Sequence, residues 1–398
     1  MKTGHIATSG RNRSLISERV QALSPSGIRK FFDLLTSMDG VISLGVGEPD
    51  FVTPWNIREA AISSIEKGYT MYTSNYGLLE LREEVARYLK RLYGVEYDPH
   101  KELLITVGVS EGLDLAMRAL VDPGDEVLIP DPSYVAYPPS ASLAGATVVP
   151  VPTGPENNFK LMPEDLESRI TVNSKAMILG YPCNPTGAVM SRDELEKVAG
   201  IAVDNDIVVA SDEIYARLVY GIEHVCVASL PGMRDRTVLL GGFSKAFAMT
   251  GWRIGYAAAS EEIIEAMMKI HQYTMMCAPI TGQMAAIEAL RSANGDVEDM
   301  LEEYDRRRKL MVRGFNEIGL TCFEPKGAFY AFPSIEITGM KSEEFAERLL
   351  EEEKVAVVAG SAFGSCGEGH VRCCYATSMS DIQEALERIS RFVKAHRK

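Results

Sequence analysis

The segment TVLLGGFSKAFAMTGWRIGYAA, residues 237–258, determines how the rest of the sequence is interpreted. Its apolar beginning predicts a buried strand, which Gly241 and Gly242 interrupt. Lys245 then falls on a tight turn among apolar neighbours, which exclude water and favour the neutral, nucleophilic amine. The alternative is a solvated surface lysine, the usual environment of this residue type. The choice between the two depends on the residues that accompany Lys245.

Arg253 follows Lys245 by eight residues and places a permanent cation in the same loop. A lysine amine that forms a Schiff base, combined with a guanidinium group, suits a ligand that has both a carbonyl and a phosphate. Pyridoxal phosphate is the common cofactor of that description. The segment therefore predicts a pyridoxal phosphate site.

The composition is that of an ordinary globular protein. Of 398 residues, 46% are hydrophobic and 24% are charged, and the net charge of −14 disfavours a nucleic-acid surface. No apolar run reaches the ~20 residues of a membrane span, so we expect a cytoplasmic, small-molecule enzyme. Residues 1–17 contain serine and arginine but no acidic residue, which leaves a transit peptide as the alternative to a flexible arm. The seven cysteines lack zinc-ligand spacing and predict reduced thiols without a metal site.

Apolar strands and helices alternate from residue 102 to residue 242, which predicts an α/β fold with a mainly parallel sheet. The predicted strands cover residues 102–107, 126–130, 147–151, 175–180, 206–211 and 237–242. The predicted helices between them cover residues 111–120, 162–170, 191–204 and 212–219.

Chemically useful side chains follow the ends of these strands. They are Val109 and Ser110 at a helix start, Tyr134, Asn184, Asp212 with Tyr215, and Ser244 with Lys245. Ligands of open α/β sheets bind at the carboxyl ends of the strands, so we expect one site along this edge. Taken alone, each residue has a structural alternative, such as a helix cap for Asp212 or a core position for Tyr134.

The two ends of the chain predict a smaller α+β domain. We divide the chain into an N-terminal segment, 1–50, a large domain, 51–298, and a small C-terminal domain, 299–398. Helices are predicted over residues 26–37, 56–67, from 78 onward and over 342–353, and short strands over 41–51, 327–335, 354–360 and 371–376. The last helix is expected to begin with a capping box formed by Ser380 and Gln383. Arg372 stands in an apolar strand and needs an anion, either a ligand or a structural ion-pair partner.

Three motifs, YPCNPTG (181–187), SDEIY (211–215) and FSKAFAMTGWRIGY (243–256), together resemble those of the class I and II aminotransferases. These are the fold-type I pyridoxal phosphate enzymes. The resemblance extends from about residue 26 to the last helix, and GEPDF (47–51) and VRCCYATS (371–378) agree with it. It implies a seven-stranded, mainly parallel sheet flanked by helices, and a homodimer.

The resemblance also implies roles around the cofactor ring. Lys245 would form the internal aldimine and carry the proton of the 1,3-shift. Asp212 would pair with the pyridine nitrogen, and Tyr134 would stack on the ring. Asn184 and Tyr215 would donate hydrogen bonds to the phenolic oxygen.

Further roles are implied for the phosphate and the substrate. Val109 and Ser110 would hold the phosphate at a helix N-terminus, with help from Ser244 and Arg253. Tyr72 is expected to reach the phosphate of the neighbouring subunit, although a packing role is the alternative. The substrate α-carboxylate would bind Arg372, with Gly47 and Asn184 nearby.

Two departures from the family pattern affect these expectations. Gly242 stands where many relatives have a phosphate-binding serine. Tyr134 replaces the tryptophan of many aspartate-specific members. We therefore expect a pocket edged by Tyr72, Tyr134 and Phe329 that takes aromatic donors at least as well as aspartate, with 2-oxoglutarate as acceptor.

The sequence leaves alternatives open for both the substrate and the reaction. Arg29, or a basic residue of a partner chain, would serve as the second cation that a dicarboxylate-specific enzyme needs. The overall pattern, including EYDRRRKL (303–310) and PKGAFYAFP (325–333), is most similar to the aspartate and aromatic subgroup, with relatives that act on acylated diaminopimelate. A carbon–sulfur lyase, an aminocyclopropane carboxylate synthase and a non-catalytic effector-binding protein are the alternatives on the same fold.

Overall fold

A central seven-stranded sheet with helices on both faces organises the protein. The computed structural model describes residues 14–23 and 39–397, so Arg29 and the helix predicted over 26–37 lie outside the described residues. The α/β fold predicted from the sequence, with its mainly parallel sheet, is confirmed.

The strands are short and mostly buried. In chain order they are β1 (Ile42–Ser43), β2 (Leu103–Thr106), β3 (Glu126–Asp131), β4 (Thr147–Pro152), β5 (Ser174–Leu179), β6 (Val208–Asp212), β7 (Thr237–Gly242), β8 (Gly255–Ala258), β9 (Tyr330–Ala331), β10 (Val355–Ala356), β11 (Val358–Ala359) and β12 (Val371–Cys374). The helices are α1 (Glu18–Gln21), α2 (Trp55–Glu66), α3 (Leu79–Tyr93), α4 (Gly108–Leu120), α5 (Tyr137–Ala144), α6 (Pro163–Glu167), α7 (Arg192–Asp204), α8 (Glu261–Thr274), α9 (Ile280–Ser292), α10 (Asn294–Ile318), α11 (Ser342–Glu353) and α12 (Met379–His396).

The central sheet has the strand order β2-β8-β7-β6-β5-β3-β4. Strand β8 runs antiparallel to both of its neighbours, and the remaining pairs are parallel. All six strands predicted from the sequence are present in it. Strand β8 was not among them, because its short apolar run directly follows the turn that contains Arg253.

Alternating side chains of the central strands bury both faces of the sheet. In β5, Ala176 and Ile178 pack with the cluster around α4 and α8, whereas Met177 and Leu179 pack on the opposite side against α7. A strand buried on both faces is read as a continuous apolar run, which is why these strands were recognisable.

One helix prediction next to the site is wrong, and one helix there was not predicted. No helix covers residues 212–219: Asp212 ends β6, and residues 214–217 form turns. There the Ala216 N–H donates to the Glu213 carbonyl at 3.0 Å and the Leu218 N–H donates to the Tyr215 carbonyl at 2.8 Å. These bonds join residues three positions apart, whereas the bonds of an α-helix join residues four positions apart. Helix α5, which starts at Tyr137, was not predicted.

A second, smaller group of elements combines α10, α11 and α12 with two small sheets. Strands β11, β12 and β9 form one sheet, and β1 pairs with β10, which joins the N-terminal segment to this unit. The predicted border at residues 298 and 299 falls inside α10, and the division into domains stays a prediction.

The cap of the last helix differs from the sequence prediction. Helix α12 begins after Ser378, whose hydroxyl accepts the Asp381 N–H at 3.1 Å, so the predicted cap at Ser380 is wrong. The two serines are two positions apart, and only the position at the helix start can receive an unpaired N–H.

No described helix combines the length and apolarity needed to cross a lipid bilayer. The cytoplasmic location stays a prediction. The seven cysteines are free, and Cys277 and Cys366 are the two that are partly exposed.

Candidate active site

A cavity of about 360 Å³ opens at the carboxyl ends of the central strands, between the sheet and the smaller unit. Eleven of the twelve predicted site residues line it: Gly47, Val109, Ser110, Tyr134, Asn184, Asp212, Tyr215, Ser244, Lys245, Arg253 and Arg372. The twelfth, Tyr72, does not line the cavity of its own chain.

Lys245 lies on the turn that follows β7, and its amine points into the cavity. The Nζ atom donates to the Gly47 carbonyl at 2.6 Å, and it lies 5.9 Å from the centre of the Tyr215 ring. Burial lowers the pKa of the Lys245 amine to about 8, and the positive charges of Arg372 and Arg253 act in the same direction. About one tenth of this amine is therefore neutral and nucleophilic at pH 7.

Asp212 ends β6 with a buried carboxylate. Its oxygens accept the Tyr137 hydroxyl at 2.9 Å and the Ile214 N–H at 3.2 Å. Burial raises the pKa of the Asp212 carboxyl to about 6, although both hydrogen bonds oppose that rise. Within the described residues, no lysine or arginine nitrogen forms a salt bridge with it. The site therefore holds a buried carboxylate that lacks a cationic partner.

Arg372 extends from β12 into the cavity and is almost fully buried. Its Nη1 donates to the Asn184 amide oxygen at 2.9 Å, and its Nη2 donates to the Gly45 carbonyl at 2.7 Å. The Nε atom is buried without a hydrogen-bond partner. Among the described residues, no carboxylate forms a salt bridge with Arg372, which disfavours the structural ion pair considered above. The guanidinium is therefore available for an anionic ligand.

The first turn of α4 forms one wall of the cavity. Gly108 has a φ of 74°, and a Cβ atom there would lie 2.5 Å from Arg253 Nη2. A Cβ atom at Gly255 would lie 2.7 Å from the Val109 nitrogen, so the two glycines allow the backbone and Arg253 to approach closely. The N–H groups of a first helical turn have no intrahelical partner, and here they face a cation-lined space.

A buried pair of side chains supports that first turn from behind. Glu111 accepts the Val107 N–H at 2.5 Å through one carboxylate oxygen, and its other oxygen lies 2.6 Å from His271 Nδ1. The His271 side chain is fully buried. The pair fixes the backbone that leads into α4.

Asp131 connects the Tyr134 loop to the smaller unit. Its carboxylate accepts the Ser365 N–H at 3.0 Å, the Ser365 hydroxyl at 2.8 Å and the Cys366 N–H at 3.2 Å. The neighbouring Phe363 ring lies 4.8 Å from the Arg372 guanidinium carbon. The loop that carries Tyr134 and the segment that covers Arg372 are thus held together.

The sequence matches the family model for aminotransferase class I and II over residues 39–389. The chain belongs to the class I and II aminotransferases. It is therefore an enzyme of the transaminase type, and pyridoxal phosphate is the cofactor known for this family. The lyase, synthase and effector-binding alternatives are not favoured.

Relatives of the aminotransferase cover almost its whole length. It is 56% identical to a putative aminotransferase of Bacillus subtilis, YugH, over 96% of this chain and 98% of that protein. It is 47% identical to an aspartate aminotransferase of Pyrococcus abyssi over 95% of this chain and 98% of that protein. The crystal structure of an aromatic aminotransferase from Pyrococcus horikoshii matches with a TM-score of 0.88 and 46% identity, over 92% of this chain and 99% of that chain.

One sequence expectation about the aminotransferase cavity, at Phe329, is wrong, and the space around Gly242 bears on a second one. Phe329 is fully buried and packs edge-on against Tyr215 at 5.4 Å, so the prediction that it edges the pocket is wrong. Tyr330 lines the cavity instead. At Gly242, a Cβ atom would lie 3.1 Å from a Val109 methyl group, which leaves little space for the serine of other family members.

Other residues of the aminotransferase site were missed. The Gly45 carbonyl accepts a hydrogen bond from Arg372, and the Tyr137 hydroxyl donates one to Asp212. Tyr137 had a signal in the sequence, because it follows Tyr134 in the same loop after a predicted strand. Gly45 and Tyr330 had none, since each belongs to a strand of two residues or its flank.

Proposed function

We propose that this aminotransferase moves an amino group between an L-amino acid and 2-oxoglutarate, using pyridoxal phosphate in the cavity around Lys245. The observation that carries the proposal is the arrangement of three groups in one cavity. A partly neutral lysine amine, a buried carboxylate without a cationic partner and a buried guanidinium without a carboxylate partner all line it.

The residues present fit pyridoxal phosphate. The unpaired carboxylate of Asp212 matches a protonated pyridine nitrogen, which would supply the missing positive charge. The glycine-lined start of α4, with Arg253, suits a phosphate. Val109, Ser110 and Ser244 would complete that end of the site, and Tyr134 would stack on the ring.

When bound, the cofactor supplies an electron sink for the bond that breaks at the substrate α-carbon. The protein then has to hold and move protons. The free amine of Lys245, whose pKa burial lowers to about 8, would accept the proton of the substrate α-carbon and deliver it to another atom of the substrate–cofactor pair. The Gly47 carbonyl keeps the free amine near that position.

Arg372, Asn184 and Tyr215 would orient the two reactants. The Asn184 oxygen is occupied by Arg372, so the NH2 group of its amide is the part that can donate to the phenolic oxygen. Tyr215 would be the second donor. The guanidinium would bind the α-carboxylate that all amino-acid and 2-oxo-acid substrates share.

The cavity supports aromatic donors in addition to aspartate. Among the described lining residues, the cations are Lys245, Arg253 and Arg372, and each already has a proposed role. Apolar or aromatic surface comes from Leu113, Tyr134, Ile214 and Tyr330. Such a surface binds a flat side chain by burial and stacking. The relatives named above include both an aspartate and an aromatic aminotransferase.

A donor panel tests this proposal. The purified enzyme is given 2-oxoglutarate with phenylalanine, tyrosine, tryptophan, aspartate or alanine, and glutamate is measured. We expect kcat/KM for the aromatic donors to equal or exceed that for aspartate, and we expect Lys245→Ala to be inactive with all of them. High activity with aspartate and none with aromatic donors would contradict the preference. Loss of such an aspartate activity in Arg29→Ala would then identify the distal cation.

We also propose that the enzyme is a homodimer in which Tyr72 reaches the neighbouring site. Large apolar side chains are exposed on one chain: Val52, Trp55, Ile62, Ile65, Tyr69, Met71, Tyr72, Tyr273, Met275 and Met276. A 2.8 Å hydrogen bond from Asn75 to the Met276 carbonyl connects the two segments that carry six of them. Exposed apolar surface of this extent supports a protein interface.

The path for Tyr72 is supported by an open groove behind Arg253. Thr250 and Arg253 line both this groove and the active-site cavity. Tyr72 itself is 81% exposed in its own chain, so its hydroxyl is available to another subunit. A tyrosine from a second copy would thus approach the side of the cavity assigned to the phosphate.

A further inference from the structure

Tyr330 contacts two parts of the site that act on different ligands. Its hydroxyl oxygen lies 2.7 Å from that of Tyr215, and both side chains are buried. Its ring centre lies 4.4 Å from the Arg372 guanidinium carbon. One side chain therefore touches both the proposed donor to the cofactor and the proposed ligand of the substrate carboxylate.

We propose that Tyr330 is a positioning residue with two effects. Its hydroxyl orients the Tyr215 proton toward the cofactor, and its ring holds the plane of the Arg372 guanidinium in the orientation that binds the substrate carboxylate. This inference rests on the proposed function, because it assigns Tyr330 a role toward the same cofactor and carboxylate.

The hydroxyl part of the argument follows from counting protons. Each tyrosine has one O–H donor, and the pair shares a single contact in which either oxygen can donate. If Tyr215 donates to the phenolic oxygen of the cofactor, Tyr330 must donate to Tyr215. A hydroxyl that accepts one hydrogen bond becomes a better donor in the next, so Tyr330 strengthens the Tyr215 bond.

The ring part of the argument concerns Arg372. The Tyr330 ring provides one aromatic contact with the guanidinium, and the Phe363 ring provides the other, at 4.8 Å. Contact with aromatic rings stabilises the cation and restricts the rotation of its plane. The two Nη groups can then keep their bonds to Asn184 and Gly45. Loss of the ring should therefore weaken carboxylate binding.

Gly47 shows how tightly the Tyr330 hydroxyl is confined. A Cβ atom at Gly47 would lie 2.4 Å from this hydroxyl oxygen, so the two positions depend on each other. The Gly47 carbonyl also accepts the Lys245 amine. A displaced Tyr330 would consequently disturb the segment that holds the lysine.

The groups that face Tyr330 keep their charges when its hydroxyl is removed, so the effect of the lost hydrogen bond can be separated from that of a changed charge. Arg372 and Cys374 approach from β12, Tyr215 from the loop after β6, and Tyr134 from the loop after β3. Replacing the Tyr330 hydroxyl by hydrogen changes none of these charges. A change in the protonation of the bound cofactor would therefore report the lost hydrogen bond.

The test compares Tyr330→Phe, which keeps the ring but not the hydroxyl, with Tyr330→Leu, which keeps neither the ring nor the hydroxyl. The first measurement is the pH midpoint of the visible absorption change of the holoenzyme. Donation to the phenolic oxygen stabilises negative charge there and favours loss of the proton from the Lys245 nitrogen. Both variants should thus raise the midpoint, by up to about 0.3 pH unit, because they weaken the Tyr215 hydrogen bond by a fraction of its strength and do not remove it.

The second measurement is the binding of propionate, a carboxylate with neither an amino group nor an aromatic ring, to the holoenzyme by calorimetry. Tyr330→Phe should bind it as the wild type does, whereas Tyr330→Leu should bind it about tenfold more weakly. Equal binding by all three proteins would overturn the ring part. Thermal unfolding checks that Tyr330→Leu is folded, and Tyr330→Phe alone decides the hydroxyl part.

A double-variant cycle identifies Tyr215 as the intermediary. Tyr215→Phe should raise the absorption midpoint at least as much as Tyr330→Phe, and combining the two should add nothing further. An unchanged midpoint in Tyr330→Phe, or fully additive shifts, would overturn the inference. If the wild type neither binds pyridoxal phosphate nor forms glutamate, the proposed function itself fails, which is a separate outcome.

Discussion

Arg372 and Asn184 are joined by a hydrogen bond in which the guanidinium Nη1 donates to the amide oxygen across 2.9 Å. The bond connects β12 of the smaller unit to the loop after β5 of the central sheet. It also fixes the orientation of the Asn184 amide, because an arginine can only donate. The same contact thereby prepares a guanidinium for the substrate and an NH2 donor for the cofactor.

Replacing Arg372 by alanine should raise KM for every amino acid and every 2-oxo acid, because all of them carry the α-carboxylate. Truncation of one partner of a buried charged contact costs about 2–5 kcal/mol, or roughly tens to thousands of fold. Steady-state kinetics with both substrate classes measure this. Arg372→Lys is the matched control, since it keeps the charge but loses the bidentate geometry. Its KM should lie between the KM of the wild type and that of Arg372→Ala. An unchanged KM in Arg372→Ala would show that the carboxylate binds elsewhere.

The low pKa of Lys245 predicts how fast the apoenzyme takes up its cofactor. With a pKa of about 8, the amine should be about one tenth neutral at pH 7 and about nine tenths neutral at pH 9. The rate of attachment of added pyridoxal phosphate, followed by absorbance, should therefore rise about tenfold between these pH values and then level off. A rate that continues to rise above pH 10 would indicate an ordinary, solvated lysine.

Asp212 should destabilise the apoenzyme at neutral pH. Burial raises its folded pKa to about 6 from 3.8, so the stability associated with the protonated group is present at low pH and is lost as the pH rises through about 6. Ionisation then costs about 3 kcal/mol, from 1.36 kcal/mol per pKa unit. Apo Asp212→Asn should be more stable than the apo wild type in denaturant unfolding at pH 7.5.

The pH dependence and the cofactor provide the controls for this prediction. The advantage of Asp212→Asn should shrink as the pH falls from about 6 toward 4. Added pyridoxal phosphate should stabilise the wild type more than the variant, because only a carboxylate gains charge pairing with a protonated ring nitrogen. A variant that is less stable than the wild type at every pH would contradict the account of Asp212.

Mixed dimers test whether Tyr72 acts on the neighbouring site. Tyr72→Ala and Lys245→Ala should each be poorly active, but one site of a mixed dimer would contain both native residues if Tyr72 crosses the interface. Random reassociation of equal amounts should then restore about a quarter of the wild-type activity, because half of the dimers are mixed and each has one intact site. If Tyr72 acts within its own chain, mixing restores nothing.

Most of the sheet and of its functional edge could be predicted because the signals are local. Buried parallel strands are continuous apolar runs, and the residues that follow them must lie at one edge of the sheet. That rule was sufficient to bring Asn184, Asp212 and Lys245 together. It needs no knowledge of how distant parts of the chain pack.

The remaining features depend on tertiary contacts that a sequence does not display. Phe329 and Tyr330 are adjacent aromatic residues, and a strand of two residues has no alternation from which to decide which of them faces the cavity. The segment after Asp212 forms turns instead of the predicted helix, and backbone hydrogen bonds connect its end to the distant residues Lys326 and Ala328. The hydrogen bonds of Asp131 to Ser365 connect residues 234 positions apart.

The most direct test of the central claim is reduction of the holoenzyme with borohydride, followed by peptide mass spectrometry. The purified enzyme should absorb in the visible range, lose that absorption on reduction and carry a pyridoxyl group on the peptide that contains Lys245. Lys245→Ala, treated in the same way, should bind pyridoxal phosphate through Asp212, Tyr134 and the start of α4 but should retain no covalent label. A label on a different lysine of the wild type, or none at all, would contradict the assignment of this cavity as the site of amino-group transfer.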